Sequence, residues 1–89
     1  MKTELEKKIF EIIQNMEIEK PLTEDIILHS DYAEEEVFDS ITFVLLIVLL
    51  EEEFGVEIEG DDLLIENISS FGKIVKLISN ILEKKNEDD

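Results

Sequence analysis

Two stretches of the chain carry the hydrophobic spacing of helices, and a third is apolar almost throughout. Between Thr3 and Met16, Leu5, Ile9, Ile12, Ile13 and Met16 recur every three or four positions, with Phe10 beside them and Glu and Lys on the other face. That spacing predicts an amphipathic helix. Lys20-Pro21-Leu22-Thr23 closes it, because a proline pushes its predecessor out of the α region. Near the other end, Phe71, Ile74, Val75, Ile78, Ile81 and Leu82 repeat the pattern behind Ser70, which suits a helix cap. Lys84 and Lys85 fall where the negative end of that helix would lie. The third stretch, Ser40 to Phe54, is apolar almost throughout and rich in β-branched residues, which also fits a buried strand. Helix is favoured because no turn residue interrupts it. Glu51-Glu52-Glu53 prolong it with good helix formers, and Gly55 follows as a C-terminal stop.

The intervening segments are less regular. Leu22 to Phe38 reads as a long connection holding one short helical turn over Thr23–Leu28, capped by Thr23. Val56-Glu57-Ile58 reads as an extended link, and Asp61 to Ile65 as a single helical turn. The expected fold is all-α: three main helices, one short helix and a long first loop, packed as a small bundle. Residues 1–85 are expected to form one domain and 86–89 a frayed acidic tail.

Charge adds a constraint on partners. The 89 residues carry a formal net charge of −16. Between Pro21 and Gly72 there is no lysine or arginine, against fifteen carboxylates. Such a field repels nucleic acid and anionic membranes and attracts basic protein surfaces. There is no cysteine, which excludes disulfides, thiolate catalysis and cysteine metal sites. The longest apolar run, Phe43 to Leu50, is far short of the roughly 20 residues that span a bilayer. No secretory signal is evident, so a cytoplasmic location is expected.

Catalytic groupings are sparse. His29, the one histidine, stands in the first loop without an obvious partner. The carboxylates follow no calcium-loop spacing, and the three glycines form no phosphate cradle. Ser40 differs by its position directly after Asp39, at the start of the most apolar helix. A serine there is an ordinary capping-region residue on one reading. On the other it is an acceptor hydroxyl for which a second protein brings base and electrophile. The positive end of the helix dipole favours a phosphodiester at that point.

From Asp39 to about Leu82 the chain resembles the acyl carrier protein family. The family's Asp-Ser-Leu signature stands here as Asp39-Ser40-Ile41, and a run ending Glu51-Glu52-Glu53-Phe54 follows at the family's spacing. Gly55-Val56-Glu57-Ile58, an acidic link and Ile68-Ser69-Ser70-Phe71 continue the likeness. The resemblance implies a four-helix bundle of acyl-carrier type with no catalytic residues of its own. It implies 4′-phosphopantetheine on Ser40, attached from coenzyme A by a phosphopantetheinyl transferase, with Asp39 as the adjacent motif residue. The arm's thiol would carry acyl groups between enzymes of lipid, fatty acid or polyketide-like biosynthesis that present basic surfaces. Phe38 stands where the family has a small residue, and Phe43 to Leu50 carries no charge. These departures point to a specialised rather than a housekeeping member.

The helical period sorts that apolar run into two stripes. Leu46, Leu50 and Phe54 align with the family's inward positions. Ile41, Val44, Leu45 and Val48 form the other stripe and are the expected partner-binding residues of a monomer or weakly self-associating chain. Phe43 and Ile47 fall between the stripes, as candidates to line an acyl pocket. The competing readings are an unmodified acidic adaptor that keeps the fold, and a small enzyme built on His29.

Overall fold

The structure is a computed structural model describing residues 3–16, 18 and 22–87, with the side chains of residues 61, 86 and 87 excluded. Its described residues form four α-helices and two short 3-10 turns, with no strand among them. Helix α1 spans Glu4–Gln14, α2 Glu24–His29, α3 Ser40–Phe54 and α4 Phe71–Glu87.

Each helix begins as its sequence dictates. The Thr3 hydroxyl oxygen accepts the Glu6 amide at 3.1 Å and donates its own proton to the Glu6 carboxylate at 3.0 Å. Thr23 caps α2 by accepting from the Ile26 amide at 3.2 Å. Ser70 does the same for α4 toward Lys73, at 3.3 Å. Each cap satisfies an amide left free at a helix start.

Helix α1 ends at Gln14, ahead of Pro21, so the proline is not its immediate stop. Lys20 and Pro21 themselves lie outside the described residues. Helix α4 runs on to Glu87. Asp88 and Asp89, the end of the expected tail, also lie outside the description.

One apolar core joins the helices. Ile9, Phe10 and Ile13 of α1 face Phe43, Leu46 and Leu50 of α3 and Phe71, Ile74, Leu77 and Ile78 of α4 within a single buried cluster. The rings of Phe10 and Phe71 meet edge to face, with centroids 6.5 Å apart. Burying each such side chain stabilises the fold by about 1.5–3 kcal/mol before chain entropy is counted.

The link after α3 is tighter than its sequence suggests. Val56 and Ile58 are buried, and the Ile58 amide donates to the Glu51 carboxylate at 2.8 Å. Glu51 therefore anchors the chain that follows its own helix. The expected single turn at Asp61–Ile65 is replaced by two 3-10 turns, Gly60–Leu63 and Ile65–Asn67.

Candidate functional site

Ser40 is the first residue of α3, immediately behind the cap Asp39. The Asp39 carboxylate accepts from the Thr42 amide at 2.8 Å and from the Thr42 hydroxyl at 2.7 Å. These bonds, the backbone one foremost, hold the Asp39 carboxyl below its usual pKa. The aspartate is thus committed to closing the helix start. Ser40 beside it is exposed. Its hydroxyl stands at the positive end of a helix of 15 residues. The other end closes with Gly55, whose φ of 62° is left-handed and whose carbonyl accepts from Lys85 Nζ at 2.8 Å. That lysine ties the end of α3 to α4 across the bundle and meets the negative end of the helix dipole.

The two stripes of α3 separate as their spacing predicts. Leu46 and Leu50 are fully buried, and Phe54 is half-buried against the core. Ile41, Val44, Leu45 and Val48 are exposed by 78%, 60%, 40% and 42%. A second exposed apolar group, Leu63, Leu64 and Ile65, spans the junction of the two 3-10 turns. Phe43 is taken up by the core, its ring edge-on to Phe38 at 5.5 Å, and Ile47 packs half-buried against the same cluster. The described surface grooves lie elsewhere. One, of about 420 Å³, runs beside α4 and is lined by Asn67, Lys73, Lys76 and Asn80 among others.

His29 is exposed at the last position of α2. No group of His, Asp and Glu able to hold a metal ion occurs among the described residues. The carboxylates between residues 21 and 72 are exposed, except for half-buried Asp31, Glu51 and Asp62 and for Asp61, whose side chain is outside the description.

Tyr32 and Phe38 drew no structural role from the sequence, yet both are buried. A lone tyrosine in an acidic loop has no periodic partners to mark it as core. The available signal was Phe38 itself, a large apolar residue directly before an exposed Asp-Ser pair.

The described residues thus form an all-helical bundle that presents Ser40, exposed, at a capped helix start beside an exposed apolar stripe. The chain matches the phosphopantetheine attachment site family over residues 18–83, and it belongs to that family of acyl-carrier-type domains. No solved structure matches the chain. Members of the family hold a covalent 4′-phosphopantetheine group and are not themselves catalytic. The donor chemistry here fits that group, since one exposed hydroxyl stands where a helix favours an added phosphodiester. No helix among the described residues is long and apolar enough to cross a membrane.

Proposed function

We propose that Ser40 is the attachment residue and that the protein carries acyl groups between partner enzymes of lipid or polyketide-like biosynthesis. The observation that carries this reading is an exposed serine at the first position of α3, behind a fully engaged aspartate cap, within the family match. Attachment forms a bond from Ser40 Oγ to the phosphorus of coenzyme A that bears the pantetheine. It breaks the pyrophosphate linkage and releases adenosine 3′,5′-bisphosphate. The serine proton goes to a base on the transferase, because an unassisted serine is a poor nucleophile. The bound group supplies a terminal thiol that holds the acyl cargo as a thioester.

The chain's own residues divide the remaining work. Asp39 keeps the first turn of α3 formed, so that Ser40 is displayed in one conformation. The dipole of α3 stabilises the phosphodiester charge. Ile41, Val44, Leu45 and Val48 form the docking stripe for transferase and acyl-handling enzymes, while the carboxylates steer partners with basic surfaces toward it. A compartment that holds coenzyme A and the transferase, the cytoplasm, is the proposed location.

A fluorescent coenzyme A derivative offered with a transferase and Mg²⁺ tests the reading. Label should enter the wild-type chain and be absent from Ser40→Ala. Label that persists in Ser40→Ala, or a chain that never takes label, refutes it, and the second outcome favours an unmodified adaptor.

A further inference from the structure

The segment before Ser40 has no helix of its own, yet it is held at several points by one residue. Tyr32 is fully buried. Its amide donates to the Ser69 carbonyl at 2.6 Å, just ahead of α4, and its hydroxyl donates to the Ile27 carbonyl in α2. Its own carbonyl accepts from the Phe38 amide at 3.0 Å. The rings continue the connection. Tyr32 lies against Phe38 with centroids 4.7 Å apart, and Phe38 meets Phe43 of α3 edge-on at 5.5 Å. Burial raises the pKa of the Tyr32 hydroxyl, so it remains a donor throughout the ordinary pH range.

The turn that Tyr32 starts needs such support. Asp31 accepts from the amides of Ala33 and Glu34 at 3.0 and 2.7 Å, and Glu36 then takes a φ of 55°. A residue with a Cβ disfavours that left-handed conformation. Two residues later the chain is fixed again by the buried ring of Phe38, and Asp39 and Ser40 follow, both exposed. Neither has buried packing to set its own place. Their position is inherited from Phe38 on one side and from the first turn of α3 on the other.

We infer that Tyr32 and Phe38 are positioning residues, forming an aromatic brace that holds the Asp39–Ser40 step in the conformation a transferase engages. The inference rests on the Ser40 reading above and adds the device that presents the serine. Loosening the brace lowers the fraction of chains displaying Ser40 correctly. Apparent affinity falls by that fraction, while turnover of bound carrier is unchanged.

The test measures initial rates of pantetheine transfer from coenzyme A to the full chain, with carrier concentration varied and product read by intact mass. Hydrogen exchange at the Thr42 amide, which bonds Asp39 at 2.8 Å, provides a readout independent of transfer. If the competent fraction drops to about a tenth, Phe38→Ala raises KM roughly tenfold at unchanged kcat. Exchange at Thr42 quickens in parallel, and Phe38→Leu recovers most of both effects. Tyr32→Phe keeps the ring, loses the bond to Ile27 and shifts both readouts the same way by less. It carries the test if Phe38→Ala does not fold. Ile13→Ala in the α1 core lowers the melting temperature but leaves KM and Thr42 exchange as in wild type. The inference is overturned if Phe38→Ala and Tyr32→Phe leave KM unmoved while wild type is modified. It is equally overturned if Ile13→Ala raises KM as much as they do. A wild-type chain that takes no pantetheine removes the Ser40 reading itself, a result distinct from either of these.

Discussion

Truncating Leu50 tests which way α3 faces. Leu50 is fully buried in the cluster shared by α1, α3 and α4. Leu50→Ala removes three carbons, a transfer loss of ~2.4 kcal/mol at ~0.8 kcal/mol per methylene. Incomplete collapse of the space left behind adds about 1 kcal/mol for roughly 40 Å³. The expected cost is therefore ~3 kcal/mol, within the ~2–5 kcal/mol found for buried leucines. A domain of this length has about 4–13 kcal/mol of total stability, so the loss is a large share of it. At about 4–8 °C per kcal/mol, the melting temperature should drop by roughly 12–24 °C. Leu45, five residues earlier on the other stripe and 40% exposed, gives the contrast. Leu45→Glu should change stability by no more than about 0.5 kcal/mol, as surface substitutions usually do. Urea melts followed by far-ultraviolet circular dichroism measure both. If Leu45→Glu unfolds the domain while Leu50→Ala is tolerated, the helix is turned the other way and the docking stripe is misassigned.

Three further outcomes are expected. Gly55→Ala should cost about 1–2 kcal/mol in thermal melts because φ at that cap is 62°. Asp39 has a depressed folded pKa, so its contribution is present above the unfolded value of about 3.9 and is lost as pH falls through the folded one. Asp39→Ala should thus lower the melting temperature at neutral pH, with the gap from wild type closing in acid, whereas Asp39→Asn keeps the cap without that pH dependence. Partner association, followed by surface plasmon resonance, should slow as salt rises toward physiological strength, where the Debye length is about 8 Å, while dissociation should respond chiefly to Val44→Asp or Leu45→Glu. An association rate indifferent to salt would leave the carboxylates without a steering role.

Much of this arrangement was legible in the chain. The periodicity of Ile9, Ile13, Ile74 and Ile78 exposes a buried face directly, and Asp39 before Ser40 marks a capped start. In α3 periodicity alone is mute, because both faces are apolar. Likeness to the family marks Leu46, Leu50 and Phe54 as the inward stripe, and the burial of Leu46 and Leu50 agrees. What stayed hidden depends on contacts between residues distant in sequence. Glu51 reaching the Ile58 amide, Lys85 reaching the Gly55 carbonyl and Tyr32 reaching Ser69 leave no local pattern. Phe43 is a different case. It was expected between the stripes as a pocket residue, but it precedes Leu50 by seven residues, about two helical turns, so the period itself sets it on the inward stripe, where it is buried and meets Phe38 edge-on. The two 3-10 turns were missed as a pair because runs so short have too few residues to show a period.

The central claim, that Ser40 bears the carrier arm, is tested most directly by fragment mass spectrometry of the full chain after reaction with coenzyme A, Mg²⁺ and a phosphopantetheinyl transferase. The account predicts one phosphopantetheine per chain, on the peptide containing Ser40 and on that serine. Modification at Ser30, Ser69, Ser70 or Ser79, or a chain whose mass does not change, would contradict it.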